Sequence, residues 1–214
     1  MNRAVLLLVV LTGCGLLSDG PPSDAKVEVG HTPQVISRPI LPFTLGGTTD
    51  PVPKAVVGPG QCRMIEGGGP TRDGCVTDEV HCGDTVIGAT RGGIQRYDTA
   101  FYRRNFCWPD TVSHDGGDER VYKLKLPPGD MRVVLTLDTP CADLDVAAMW
   151  LNGDTCPSPE SVLPRCEMAR SDGTTRERVE FASQRGGEWW VLVEGKAADE
   201  GVFGLSVQCF DGLH

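Results

Sequence analysis

The 214-residue sequence predicts an all-β protein, an antiparallel sandwich or barrel cross-linked by disulfides. Three observations carry this prediction. Short segments alternate apolar and polar residues, turns of Gly, Pro and Asp separate them, and no long stretch shows the 3.6-residue period of a helix. The chain also contains nine cysteines, which form disulfides by default in an exported protein.

The first residues predict the signal peptide of a bacterial lipoprotein, residues 1–13. Arg3 supplies a positive charge, residues 4–11 are an unbroken apolar run, and residues 11–14 are Leu-Thr-Gly-Cys. The order is that of a secretory signal, and its ending resembles the lipobox at which bacterial lipoproteins are cleaved and acylated. The resemblance implies lipid on Cys14 and attachment to a membrane. The glycine that follows resembles an outer-membrane address.

Composition excludes several partners and sites. The formal net charge is −9, and loss of residues 1–13 with their single arginine makes it −10. Such an acidic surface argues against nucleic acid or anionic lipid as the main partner. A zinc site is excluded as well, because the sequence has no CxxC pair and its four histidines stand apart. Without Cys14, eight cysteines remain, which suffice for four disulfides.

The segment before the predicted domain is rich in proline. Proline prevents helix and removes ladder hydrogen bonds, so we interpret residues 14–61 as the lipidated cysteine followed by an extended linker. Docking of residues 35–45 on the domain is the alternative. Residues 62–81 are predicted to be irregular, with a local Cys62–Cys75 disulfide, and residues 82–210 are predicted to form the sandwich.

Seven strands are predicted within the domain. In residues 131–138, Val133, Leu135 and Leu137 share one face. The turn Pro-Pro-Gly-Asp at residues 127–130 separates this strand from the one before it. The predicted strands are residues 84–90, 120–126, 131–138, 143–151, 177–182, 189–194 and 202–209.

Four stretches resemble the bacterial pre-peptidase C-terminal (PPC) domain, in that family's order. Residues 119–129 are similar to its opening strand and turn, residues 143–146 to its acidic central strand, and residues 187–195 to its aromatic-rich penultimate strand. Residues 201–207 are similar to its closing strand. The resemblance covers about residues 82–209 and implies a jelly-roll-like β-sandwich of about eight strands. Its members are usually non-catalytic appendages of secreted enzymes, but these 214 residues include no protease domain to accompany.

The resemblance to the cysteine-bearing branch of the family also implies disulfide pairings. One pair joins the two ends of the domain, a second closes a short loop that contains proline, and a third takes the cysteines that remain. The implied pairs are Cys82–Cys209, Cys156–Cys166 and Cys107–Cys141.

Calcium is the cofactor that the acidic residues leave open. Asp143 and Asp145 lie on the same side of one predicted strand, and the acidic turn at residues 114–118 is expected to approach them. Calcium takes six to eight oxygen ligands of this kind, and some collagen-binding relatives of the PPC family bind it near the N-terminal edge of the domain. Asp143 and Asp145 are therefore the calcium candidates, and solvated acidic turns are the alternative.

The sequence contains no convincing enzyme motif. The GxSxG elbow, HExxH and a glycine-rich phosphate loop are absent, and the SxxK match at residues 23–26 lies in the linker. Paired carboxylates are frequent, but a glycosidase needs two that face one cleft. Trp189 and Trp190 must point to opposite faces of their strand, so one of them is expected to face outward, where it could stack on a sugar. Core packing of these residues is the favoured alternative.

These observations predict a lipid-anchored lipoprotein of the bacterial envelope, attached at the outer membrane, whose β-sandwich is a non-catalytic binding or structural module. Its partner would be an envelope protein or a glycan. One alternative is a calcium-dependent, adhesin-like module that binds carbohydrate or protein. The other is a hydrolase whose carboxylates are dispersed along the sequence.

Overall fold

The computed structural model of the chain describes residues 34–37, 74–107, 113–153, 155–169 and 171–212, the first range by its backbone only. It is a sandwich of two five-stranded sheets with one short α-helix. The predicted fold class is confirmed. Cys14, Cys62 and most of the predicted linker lie outside the described residues. Within these ranges, no helix is long and apolar enough to cross a membrane.

The elements are numbered in chain order. The described residues include a short α-helix, α1 (Thr99–Arg104), and a 3-10 turn at Lys196–Ala198. The strands are β1 (Gln34–Ser37), β2 (Val76–Val80), β3 (Asp84–Ala89), β4 (Glu119–Leu126), β5 (Met131–Asp138), β6 (Leu144–Trp150), β7 (Arg165–Met168), β8 (Glu177–Ser183), β9 (Gly187–Gly195) and β10 (Val202–Asp211).

The strand order is that of a jelly roll. Sheet A has the order β1-β3-β10-β5-β8, and sheet B has the order β2-β4-β9-β6-β7. From β3 to β10, consecutive strands lie in opposite sheets, with one exception. The exception is the pair β6 and β7, which are antiparallel neighbours in sheet B. This arrangement is an eight-stranded jelly roll. At the two edges, β1 pairs antiparallel with β3, and β2 pairs parallel with β4.

Apolar side chains from the inner faces of both sheets form the main core. Leu135 on β5, Leu205 on β10 and Val191 on β9 belong to it and are fully buried. Period-two alternation places such residues on one face of each strand. All seven predicted strands are observed within two residues of their predicted bounds.

A second apolar layer covers the outer face of sheet B. Trp190 and Leu192 on β9 and Val121 on β4 point away from the main core, yet they are fully buried. We call the residues that cover this face from α1 and the neighbouring loops the outer layer. They are Tyr97, Phe101, Tyr102, Cys107 and Leu163.

The helix α1 positions the outer layer. Asp98 caps its N-terminus by accepting a hydrogen bond from Phe101 N at 2.7 Å. The rings of Phe101 and Tyr102 are 5.4 Å apart and nearly perpendicular, at 82°. Both side chains are buried, and Asn105 is the C-cap that follows the last helical residue, Arg104.

The two adjacent tryptophans are both buried. Trp189 lies in the main core and Trp190 under the outer layer, with exposures of 2% and 0%. They do lie on opposite faces of β9. The expectation that one of them faces outward is wrong, because the outer layer covers that face, and core packing is the arrangement found.

Three strands occur where none was predicted. Val76–Val80, within the segment expected to be irregular, forms β2, and Arg165–Met168 forms β7. In addition, Gln34–Ser37 from the predicted linker pairs with the free edge of β3. These strands are short and have little alternation of their own, so their pairing depends on the neighbouring strand that accepts them.

Three disulfides join pairs of described residues. Cys82 bonds Cys209, the pair that the sequence analysis expects, because the chain enters β3 beside the end of its neighbour β10; the two Cα atoms are 5.4 Å apart. The other two bonds are Cys75–Cys156 and Cys107–Cys166.

The remaining expected pairs are wrong, because the outer layer decides the partners. Cys107 follows α1 and bonds to β7, and Cys75 precedes β2 and bonds to the loop after β6. Cys141 is disulfide-bonded as well, although not to Cys107. The expected pairs that the structure contradicts are Cys62–Cys75, Cys156–Cys166 and Cys107–Cys141.

We expect replacement of Cys82 and Cys209 together by alanine to lower the free energy of unfolding by about 5 kcal/mol. The bond has a sequence separation of 127 residues, so its loss returns a large conformational entropy to the unfolded chain. Equilibrium unfolding in guanidinium under oxidising conditions measures the change.

The same comparison in excess reductant is the control, since both proteins then lack the bond and differ only in the packing of two sulfur atoms. Identical unfolding midpoints for the two oxidised proteins would show that this bond does not constrain the sandwich.

Candidate functional site

Three carboxyl groups lie side by side on the outer face of sheet B. Glu194 on β9 is directly opposite Glu119 on β4 and, on its other side, directly opposite Asp145 on β6. Residues opposite each other in neighbouring strands project to the same side. All three are 0% exposed. We call them the acid row.

Tyr102 and His114 cover the acid row. The Tyr102 hydroxyl donates a hydrogen bond to Glu194 Oε2, and the centroids of the Tyr102 and His114 rings are 4.8 Å apart. His114 Nε2 is 3.7 Å from Asp145 Oδ2, and His114 Nδ1 is 3.9 Å from Glu194 Oε2. The imidazole, itself 0% exposed, therefore lies within ion-pair distance of two carboxyl groups.

The backbone around His114 is held against its neighbours. His114 N donates to Thr99 Oγ1 at 3.2 Å, and Asp115 Oδ1 accepts from Thr99 N at 3.0 Å, which joins this segment to the start of α1. A Cβ on Gly117 would lie 2.5 Å from Gly195 O. Only glycine therefore allows this segment to lie so close to the end of β9.

Glu119 joins the acid row to the loop before α1. Its Oε1 atom accepts hydrogen bonds from Arg96 N at 2.5 Å and Tyr97 N at 2.8 Å. Burial nevertheless raises the pKa of Glu119 to about 7, since the loss of water around the charged form outweighs the two backbone donors, and the charge of Asp118 raises it further.

Burial also raises the pKa of Glu194 well above 4.5, and the charge of Asp98 adds to the effect. The neutral form of this carboxyl group is therefore favoured. A neutral group can accept the Tyr102 hydroxyl without placing an uncompensated charge inside the protein.

Carboxyl groups with raised pKa values beside a histidine are components of acid–base catalysis. A substrate cannot reach this set, because the acid row and His114 expose none of their surface. What the arrangement can do is hold protons and fix α1 and residues 113–117 on sheet B. Its evident role is therefore structural.

The two calcium candidates have different surroundings. Asp145 belongs to the acid row, and the turn at residues 114–118 approaches it through His114. Asp143 lies before β6 at a half-buried turn, where its N–H donates to Asp199 Oδ2 at 3.3 Å and its carbonyl oxygen accepts from Lys196 N at 2.9 Å. Among the described residues, no group of three His, Cys, Asp or Glu is placed to hold a metal ion. Calcium binding stays a prediction.

Glu119 and Glu194 were not predicted from the sequence to be members of one cluster. A signal was present, because Glu194 follows Trp190 and Leu192 at the same period-two positions. An acid on the apolar face of a strand indicates a buried polar cluster if that face is covered. The sequence alone did not reveal the cover, so the acid looked like an ordinary surface residue at a strand end.

Comparisons with known proteins show a similarity in structure. No protein-family model matches the chain, and no curated protein is significantly similar to it in sequence. Among solved structures, the chain is similar to the 1.0 Å crystal structure of the pre-peptidase C-terminal domain of a collagenase from Bacillus anthracis. The two are 12% identical with a TM-score of 0.38, and the match covers 61% of this chain and 93% of that one. The jelly-roll fold rests on the strand order described above.

We expect the wild-type protein to become less stable as the pH rises through 7, and we expect Glu119→Gln to reduce this decline. The folded pKa of about 7 exceeds the unfolded value of 4.5, so the folded state binds the extra proton. The wild-type contribution is present below pH 4.5 and is lost as the pH rises through 7, by about 3 kcal/mol in all. Urea unfolding at about pH 5 and about pH 8 measures the difference.

Glu180→Gln is the matched control, because hydrogen bonds from Arg132 and Arg178 lower the pKa of this exposed residue despite some burial. At the higher pH, Glu180→Gln should be slightly less stable than the wild type, whereas Glu119→Gln should be more stable than the wild type there. If the free energy of unfolding of Glu119→Gln falls between about pH 5 and about pH 8 as much as that of the wild type, Glu119 is already charged in the folded protein at about pH 5.

Proposed function

We propose that the chain is a lipid-anchored lipoprotein of the bacterial cell envelope whose β-sandwich works as a non-catalytic binding or structural module. The observation that carries this proposal is the complete burial of the acid row and His114. These are the residues of the described chain that most resemble catalytic groups, and substrate has no access to them.

The burial of these groups favours a module over a hydrolase. Glycoside hydrolysis needs two carboxyl groups that face a cleft wide enough for the sugar and, in inverting enzymes, for a water molecule. In this protein the convergent carboxyl groups lie between sheet B and the outer layer. A hydrolase built from dispersed carboxylates is therefore the weaker proposal.

The disulfides support export from the cytoplasm. Every cysteine within the described residues is disulfide-bonded. Such bonds persist in the bacterial periplasm and on cell surfaces and are rare in the cytosol. Disulfide-bonded cysteines are expected in a chain that the signal at residues 1–13 would direct across the inner membrane.

Pairing of β1 with β3 limits the spacer between lipid and domain. Residues 15–33 separate Cys14 from β1 in the sequence, and fully extended they would reach at most roughly 65 Å. In this proposal the sandwich is held close to the membrane and acts on whatever lies at that surface, an envelope protein or a glycan.

Mass spectrometry of the mature protein tests the anchor. We expect a chain that begins at Cys14 and carries acyl groups on that residue. Cys14→Ser should move the protein from the membrane fraction to the soluble fraction, with an unchanged circular dichroism spectrum, because residue 14 precedes every strand of the sandwich in the sequence.

An unmodified Cys14, or a mature chain that retains residues 1–13, would overturn the anchor. Robust turnover of a defined substrate by the purified mature protein would overturn the non-catalytic role, and the two results are independent of each other.

A further inference from the structure

Two large apolar side chains stand exposed on the described surface. Phe106 is 81% exposed and Val162 is 72% exposed. They are 56 residues apart in sequence, but Asn105 brings their backbones together. Asn105 Nδ2 donates to Ser161 O at 3.2 Å, and Asn105 Oδ1 accepts from Leu163 N at 2.8 Å. The residues on both sides of Val162 are thus bonded to the neighbour of Phe106.

Phe106 departs from two local rules at once. Its φ angle is +52°, a conformation that bulky residues rarely adopt, and its ring is in water. Neither feature stabilises the fold, since asparagine or glycine would suit this backbone better and a polar side chain would suit the exposure better. Positions that break local rules without a structural gain are those at which function is expected.

The backbone that carries the two residues is fixed. Cys107, directly after Phe106, bonds to Cys166 on β7, and Arg104 donates a hydrogen bond to Pro159 O in the loop that carries Val162. Leu163 is buried in the outer layer. A rigid surface of this kind loses little conformational entropy when it binds.

Two arginines and one acid lie close in sequence to the two apolar residues. Arg103 and Arg104 are exposed at the end of α1, and Glu160 is exposed in the loop between β6 and β7. Together they carry one net positive charge, although the chain as a whole has a net charge of −9. We call Phe106, Val162, Arg103 and Arg104 the apolar tip. Apolar side chains flanked by arginines are typical of protein surfaces that lie in a phospholipid interface.

We propose that the apolar tip rests on the phospholipid surface to which the chain is anchored. Phe106 and Val162 enter the boundary between headgroups and acyl chains, and Arg103 and Arg104 meet the headgroup phosphates. This inference rests on the proposed anchor, because two apolar side chains hold a protein only weakly to a membrane unless a tether supplies a high local concentration.

The net charge and the tether are compatible with this contact. Salt screens charges more than about 8–10 Å from the membrane, so the acidic remainder of the chain acts less on the bilayer than the arginines at its surface. Residues 15–33 reach at most roughly 65 Å, and five strands span only about 20–25 Å. The spacer is therefore long enough for the tip to face the bilayer.

A contact between two copies fits the tip less well. In a symmetric dimer the same patch meets itself, so Arg103 and Arg104 of one copy would face those of the other. Their repulsion disfavours that arrangement, whereas phosphate groups are the natural partner of arginine.

Hydrogen exchange tests the proposal without depending on acylation. The mature chain, with a hexahistidine tag in place of Cys14, is attached to phosphatidylcholine vesicles that contain a nickel-chelating lipid. We expect amide exchange in residues 103–107 and 158–163 to slow several-fold relative to the same chain free in solution. Phosphatidylglycerol in the vesicles should slow it further. Acylation of Cys14 is measured separately, so failure of the anchor and failure of the contact are distinguishable.

Phe106→Asn combined with Val162→Ser should abolish the protection, a roughly tenfold or greater loss of docking. Asparagine tolerates the positive φ angle, so this variant should keep the wild-type melting temperature. Arg103→Gln with Arg104→Gln should weaken the protection. The matched control, Arg176→Gln with Arg178→Gln, removes the same charge at the start of β8 and should leave the protection intact.

Three results would overturn the proposal: unchanged exchange on attachment to vesicles, protection that persists in the Phe106→Asn and Val162→Ser variant, or protection that requires phosphatidylglycerol and depends only on the arginines. Protection of the free chain that grows with its concentration would also overturn it, since a second copy would then be the occupant.

Discussion

The structure depends on one constraint, that the central strand of sheet B is apolar on both faces. Trp189, Val191 and Val193 point into the main core, while Trp190 and Leu192 point the other way. An antiparallel sheet can leave a face to water only where that face is polar. Sheet B therefore needs a cover on its outer side as well as sheet A on its inner side, and the sandwich becomes three layers at this point.

The cover is too slight to persist alone, which explains where two of the disulfides lie. The helix α1 has six residues, and isolated helices of that length do not form in water. Cys107–Cys166 fixes the end of α1 to β7, and Cys75–Cys156 fixes the start of β2 to the loop after β6. Tyr97 lies between these parts, where its hydroxyl donates to Pro157 O at 2.8 Å. The bonds supply the constraint that a larger core would otherwise provide.

The sequence predicts the strands of the sandwich well and the outer layer poorly, for a physical reason. Alternation in a strand such as β5 is a local property, because each side chain reports its own face. The cover of Trp190 is not local, since it comes from α1 and from the loop that holds Leu163. Three of the four expected cysteine pairs failed for the same cause, and Glu119 and Glu194 were not recognised as neighbours.

The acid row lies where the apolar cover of sheet B ends, and this position accounts for its chemistry. Trp190 and Leu192 on β9 meet apolar partners, but Glu194, the next residue on that face, meets Tyr102 and His114. Apolar side chains can pack against each other in more than one position. A buried carboxyl group, in contrast, destabilises the folded protein unless particular hydrogen-bond donors meet it. Buried polar groups cost energy and can define a single arrangement in return. In this protein the acid row contacts α1 through Tyr102 and residues 113–117 through His114. The C-cap of α1 is Asn105, which bonds to the residues on both sides of Val162 in the apolar tip. The buried row and the exposed surface thus share one short helix as their support.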